Sequence, residues 1–575
     1  MEESINNVSN RQHISTGIDL LAIAFLWFIC LAITNPFGNF PLNDDWSFGL
    51  TVRHFIDSGD FRPTGWTAMP LITHVLWGSI FCLPNGFSFE ALRFSTLTIS
   101  LIGIFGAYLL IRELKGSRWL AVIVALTITF NPIYYALSNT FMTDIPFSAT
   151  MILAVLFLVR NLKNDSDFDL LVGSILIAAA TLNRQLGIAV SLAFAVSFFL
   201  KNGFTSRVLV RAILPPILCI GALMVFKHWL STSGRLPMRY NDKSDMLIQM
   251  LTYPGMLSGF VKNTFKAVLY LGLFLLPVLI LYFGRIWFSL KGKSAIRLTL
   301  VITASILLGM LSLILWQSHH LMPLSGNIVN TSGIGPLTLR DTDILNAPHV
   351  ATLPTSFWLI ITALSLLGGT LLLSSAGIIS IRLSPAFWSG KMNSSQAVST
   401  FLFLSTVVYM IPLLVNGFFD RYLVPAIPFL AANITILLVE DHVQSRRTGE
   451  KVITVVVLVL VGLFSVFSVC GTRDYLMWNR ARWEILNDLM ESKRAKAEEI
   501  DGGFEFNGLY MYDPVYHQKP DKSWWWVKGD KFVVTFGVIP GYSVIREYKY
   551  HQWLPLSNGS IMLLEKTVND SVNVQ

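Results

Sequence analysis

Charge is scarce in this chain of 575 residues: Asp, Glu, Lys and Arg together make up 14% of it, against about 25% in soluble globular proteins. So few charges cannot cover the surface of a soluble protein of this length. Cysteine is nearly absent as well. The four present, Cys30, Cys82, Cys219 and Cys470, lie in or beside apolar segments without metal-ligand spacing, so neither a zinc site nor a disulfide framework is indicated. Internal repeats and low-complexity tracts are also missing. The first apolar run lacks a small-residue cleavage site, and it is expected to be a retained helix rather than a removed signal.

Apolar residues are plentiful, at 53%. They fall in uniformly Leu-, Ile-, Val- and Phe-rich runs of about 20 residues, which suit membrane helices; barrel strands are about ten residues long and alternate in polarity. The runs lie at 18–34, 90–111, 119–137, 145–159, 170–182, 185–200 and 208–230, then at 265–288, 298–316, 356–379, 397–415, 422–439 and 452–469. That is about thirteen transmembrane helices. Placing the N-terminus in the cytoplasm makes every inside loop short and basic, among them Arg112/Lys115/Arg118, Arg285/Lys291/Lys293/Arg297 and Arg446/Arg447/Lys451, as the positive-inside rule requires. The net charge of +8 then reflects topology and implies no nucleic-acid partner. The C-terminus falls on the outer face, and a multi-pass membrane protein with an outer tail is expected.

The run 170–200 is broken by Asn183-Arg184-Gln185, which predicts two short helices reversing at the outer face. Pro70 to Cys82 is too short to span, and it is read as an interfacial helix. Past Cys470 the composition changes. Tyr475 to Lys496 has the period of an amphipathic helix, and the runs Gly508–Tyr512, Lys531–Phe536, Tyr542–Tyr550 and Ser560–Lys566 read as strands separated by turn residues. The expected fold is therefore an all-α polytopic membrane protein, with interfacial helices in the first outer loop and a small C-terminal α/β extracytoplasmic domain. The membrane part takes residues 1–470 and the outer domain 471–575.

Acids beside membrane helices are costly unless they have work to do. Asn43-Asp44-Asp45-Trp46 follows the first helix, and Asp144 opens another within Thr140-Phe141-Met142-Thr143-Asp144-Ile145-Pro146. The chosen orientation puts all three aspartates on the outer face. Asp44 or Asp45 could take a proton from an attacking hydroxyl; loop solvation or helix capping would equally account for the pair. Asp144 before Ile-Pro reads as a helix cap. His319 and His320 border an outer loop without the spacing of a dedicated metal site. Trp524-Trp525-Trp526 could stack on a sugar ring, anchor the tail at the interface or pack its core.

Taken together, Asn43-Asp44-Asp45-Trp46, Met142-Thr143-Asp144-Ile145-Pro146, Thr181-Leu182-Asn183-Arg184-Gln185 and Arg421-Tyr422-Leu423-Val424-Pro425 form an ordered set. In it the chain resembles the C-type (GT-C) polyprenyl-phosphate-sugar-dependent glycosyltransferases, in particular the protein O-mannosyltransferases and the bacterial aminoarabinose transferases of lipid A. The resemblance covers the membrane part, best over the first two hundred residues. It implies a hexosyl or pentosyl transferase of the inner (plasma) membrane that moves a sugar, with inversion, from a polyprenyl-phosphate carrier to an acceptor hydroxyl or phosphate on the outer, periplasmic face, where the C-terminal tail also lies. Partners would be the lipid-linked donor, membrane lipids and an acceptor that is a glycan, a lipid or a protein. The resemblance implies Asp44 as general base, although this chain has Asp-Asp where the family has Asp-Glu, which leaves the division of labour between Asp44 and Asp45 open. Asp144 would orient the acceptor, the base or a divalent metal ion, whose ligands the sequence leaves unknown. A departing lipid phosphate needs fixed cations or a metal ion. Candidates are Arg53, Arg62, Arg184 and Arg421, each of which could instead be an interfacial anchor or the partner of an acid such as Asp420. A transporter or lipid flippase would place its charges at mid-helix and show repeated halves. A sensor or assembly subunit would bind donor without turning it over.

Overall fold

The computed structural model describes residues 2–289, 294–318, 326–347, 349–440, 447–492, 495–517 and 525–567. It is mostly helical. All thirteen apolar runs lie on helices, and among the described residues nine of those helices are long and apolar enough to cross a membrane. Two more are bent pairs. Arg118–Thr129 and Pro132–Ser138 meet at 66°, and Met256–Phe274 meets Leu276–Gly284 at 74°. The first bend has a local cause: Asn131 caps a new helix by accepting the Ile133 and Tyr134 amides, and Pro132 occupies its first turn, a combination that starts a helix and cannot continue one. The two remaining runs lie on the 17-residue helix Asp167–Asn183, short of the roughly 20 residues of a full span, and on the helix Ser294–Ser318. The chain is thus a multi-pass membrane protein, with nine helices of spanning length and apolarity among the described residues, or up to eleven when each bent pair is counted as one. Exposed Leu21, Phe25, Phe28, Val455, Val459 and Leu463 are the side chains such helices turn to lipid.

The loop after the first span carries two helices, Asp45–Ser58 and Ile72–Cys82. Asn43 stands before the first of them at φ 53°, a left-handed conformation that Asn tolerates better than most side chains. The segment 326–347 holds a small hairpin, β1 (Val329–Asn330) and β2 (Gly333–Ile334).

The tail departs from expectation in two places. Tyr475 to Lys496 is not a separate helix: one helix runs from Arg447 to Glu491, about 68 Å at 1.5 Å per residue, so residue 470 lies inside it. Gly508–Tyr512 is not a strand but the end of the helix Phe504–Met511, which packs Gly508 against Trp46 so closely that a Cβ would meet the indole at 2.4 Å. A five-residue run is too short for its period to separate the two. The other three runs do form strands, β4 (Phe532–Thr535), β5 (Tyr542–Trp553) and β6 (Leu556–Lys566), and an unexpected short strand, β3 (Ile500–Asp501), joins them in the order β3-β4-β6-β5. Phe40, Leu42 and Trp46 of the first loop share one aromatic core with Trp478, Phe504, Trp526 and Phe536, and this core fastens the tail onto that loop.

Candidate active site

Asp44 occupies the cap position of the helix Asp45–Ser58 but makes no capping hydrogen bond. Its carboxylate turns aside instead. Trp66 Nε1 donates to Oδ1 (2.9 Å), and Arg421 Nη2 donates to Oδ2 (3.3 Å). Asp144 likewise opens its helix, Asp144–Asn164, and its Oδ1 receives Arg184. The other oxygen, Oδ2, is buried without a protein partner. The capping readings of both acids therefore give way to ion pairing.

The two pairs meet at one aromatic ring. The Arg184 guanidinium lies 4.8 Å and that of Arg421 5.4 Å from the Tyr422 ring centroid, close enough for cation–π attraction. Local backbone structure aims each cation. Arg184 is extended (φ −141°, ψ 130°) between two helices, the polar break expected from the sequence. Asn183 O accepts the Leu71 amide and Gln185 Nε2 donates to Ala68 O, so the break is tied to the first loop. Asp420 is not the partner of the Arg421 guanidinium: its carboxylate accepts the amides of Ile328, Val329 and Arg421 itself and so holds the β1 hairpin beside the site.

Asp45 points elsewhere. It is buried, 2% exposed, with Leu42 N donating to Oδ2 (3.3 Å). Burial pushes its carboxyl up to about 8, against the pull of the Phe141 amide, Arg93 and the Leu42 amide; loss of hydration disfavours the charged form. Beside it His74, buried against Phe141 with ring centroids 3.9 Å apart, pairs its Nε2 with Phe141 O at 2.9 Å. Burial brings the His74 ring down to about 4. Asp45 and His74 thus knit the first loop to the Thr140–Pro146 segment.

Arg53 and Arg62 stand apart from this cluster. Arg53 is exposed and faces Asp57 at 3.7 Å, and Arg62 is exposed. Trp525 and Trp526 are buried in the aromatic core, the packing reading of that triplet. Trp524, His319 and His320 lie outside the described residues.

A cavity of about 420 Å³ opens beside the cluster. Arg184 and Tyr422 line one part and Lys227 another, between apolar walls that include Leu186, Leu223, Met224 and Leu413. Cations in a greasy cleft suit a ligand with an anionic head and a hydrocarbon tail. Among the described residues no three His, Cys, Asp or Glu side chains gather as metal ligands, and Asp44 and Asp144 are each engaged by an arginine. The donor set therefore does not fit a metal cage.

Sequence reading alone missed Trp66, Lys227 and Glu505. Trp66 had a weak signal, an indole in a polar loop. Glu505 had none: its Oε1 accepts the Asn43 amide (3.0 Å) and its Oε2 the Arg482 guanidinium and the Thr338 hydroxyl, both at 2.7 Å.

Residues 69–231 match the family described as dolichyl-phosphate-mannose-protein mannosyltransferase. The match includes Asp144 and Arg184 and ends short of Asp44 and Arg421. No curated protein matches the chain. Solved structures with some likeness include ArnT from Cupriavidus metallidurans bound to undecaprenyl phosphate, at 12% identity and TM-score 0.39 over 83% of this chain and 72% of that one. Another is the archaeal oligosaccharyltransferase AglB from Archaeoglobus fulgidus in complex with an inhibitory peptide and a dolichol-phosphate, at 13% identity and TM-score 0.41 over 88% of this chain and 62% of that one. The resemblance to membrane glycosyltransferases read from the motifs is borne out over residues 69–231, which carry Asp144 and Arg184.

Proposed function

We propose that the chain is an integral-membrane glycosyltransferase that takes a sugar from a polyprenyl-phosphate carrier and passes it, with inversion, to an acceptor on the periplasmic face of the inner membrane. The observation that supports this reading most is the convergence of Asp44–Arg421 and Asp144–Arg184 on Tyr422 at the edge of the 420 Å³ cavity.

In this reading Asp44 is the base. Trp66 and Arg421 hold its carboxylate in a half-buried position, where it accepts the proton of an acceptor hydroxyl as that oxygen attacks the anomeric carbon. The bond from that carbon to the phosphate oxygen breaks, and the electron pair leaves with the phosphate. Arg184, with Lys227 further along the cavity, meets the growing negative charge; fixed cations in a poorly hydrated cleft are well placed for that work. Asp144 orients Arg184. Asp45, sealed and carrying a proton below about pH 8, positions the loop rather than the substrate. Residues 471–575 form the outer domain, which leans on that loop.

The test is sugar transfer by purified protein from undecaprenyl-phosphate-linked sugars. Asp44→Asn is expected to abolish it and Asp45→Asn to spare it in part. Full activity in the combined variant would sink the assignment. A flippase would move labelled lipid across vesicles without forming product.

A further inference from the structure

A second cavity, of about 370 Å³, is lined in part by Trp66. Its walls come from three distant parts of the chain: Trp66 of the first loop, Arg239 and Asp242 ahead of the helix Met256–Phe274, and Tyr512, Asp513 and Trp526 of the tail. The aromatic rings form a rigid corner, with Trp66 and Tyr512 each 5.1 Å from Trp526 and nearly perpendicular to it. Arg239 stacks on Trp66 at 3.9 Å and faces Asp242 at 3.5 Å. The same Trp66 donates its indole N–H to Asp44, so one side chain joins this cavity to the candidate base.

We propose that this cavity binds a sugar ring of a carbohydrate acceptor and presents its hydroxyl toward Asp44. The inference rests on the transferase reading above and names the acceptor class it left open. Flat aromatic faces suit the apolar face of a pyranose, and two carboxylates with one guanidinium supply acceptors and donors for its hydroxyls. Two acids against one arginine disfavour an anionic headgroup. The polar half of the lining disfavours an acyl chain, which the Arg184 cavity suits better.

The experiment uses the full chain in detergent. Mannotetraose, maltotetraose and chitotetraose are titrated by tryptophan fluorescence and saturation-transfer NMR, with undecaprenyl phosphate and a serine-containing hexapeptide titrated in parallel. At least one tetrasaccharide is expected to bind. Tyr512→Ala and, independently, Asp513→Asn should each weaken it about tenfold or more, a loss of about 1.4 kcal/mol, with undecaprenyl phosphate affinity unchanged. Lipid binding with no tetrasaccharide binding overturns this inference alone, as does sugar affinity indifferent to both variants or binding of the hexapeptide in place of sugar. Failure of lipid and sugars together overturns the transferase reading with it.

Discussion

Two arginine–carboxylate systems stand a short way apart in this protein and are built to opposite ends. In the tail, Arg482 and Glu505 are both fully buried (0% exposed), and the Glu505 carboxylate is met by a guanidinium, a hydroxyl and a backbone amide. At the membrane, Arg421–Asp44 and Arg184–Asp144 meet at Tyr422, Arg184 and Tyr422 line a cavity, Asp44 keeps 16% of its side chain exposed, and one buried oxygen of Asp144 has no hydrogen-bond partner among the described residues. Sealed, with both carboxylate oxygens met, the first holds structure. Joined to a cavity through Arg184 and Tyr422, the second can exchange a protein partner for a substrate group. Access to a cavity, rather than the presence of an ion pair, is what separates a working site from a structural one.

The comparison can be broken at several points. The largest expected effect is on turnover in Asp44→Asn, about 10²- to 10⁴-fold, with the melting temperature nearly unmoved; a steady-state assay beside a thermal melt checks both halves. Glu505→Gln should do the reverse. Removing one partner of a sealed pair costs about 3–5 kcal/mol, visible as a large drop in melting temperature, while the folded fraction keeps most of its specific activity. If Glu505→Gln melted like the wild type and lost turnover, the two systems would have to exchange roles.

A sharper variant is Arg421→Lys, which keeps the charge but loses the planar fork. Turnover should fall on the order of tenfold, with no loss of fold. Asp45 supplies a test by pH. Its carboxyl, ordinarily near 3.8, stands near 8 in the folded chain, so the folded state holds a proton that the unfolded state releases between those values. Stability should therefore decline as pH rises from about 4 to about 8 and level off above. Asp45→Asn should remove that decline, a change on the order of a few degrees in melting temperature. The smallest effect is expected from Arg53→Ala and Arg62→Ala, whose turnover should stay within about twofold of wild type, as suits exposed side chains of low energetic weight.

The membrane part was legible because charge is conspicuous in an apolar background. Asp44, Asp144, Arg184 and Arg421 each interrupt or border an apolar run, and the structure brings all four to Tyr422. Arg53 and Arg62 sit in a polar loop, where a cation carries little information, and both stay outside the cluster. Asp45 and Asp44 are neighbours in sequence, yet one is buried against the Phe141 amide and the other turns to Trp66 and Arg421; only the packing of the Phe141 segment decides which. Glu505 was invisible for a different reason: in a tail rich in charge nothing distinguishes it, and the amide it binds is 462 residues away. The bends at Asn131 and Leu275 and the helix Phe504–Met511 were missed because length and period say little about where an apolar run turns.

The central claim is that Asp44 performs chemistry on a lipid-linked sugar whose phosphate rests against Arg184. Binding of labelled undecaprenyl phosphate, measured side by side with sugar transfer in Asp44→Asn and Arg184→Gln, tests it most directly. The account predicts that Asp44→Asn keeps lipid affinity and loses transfer, whereas Arg184→Gln loses both. Wild-type transfer by Asp44→Asn, or undiminished lipid affinity in Arg184→Gln, would contradict it.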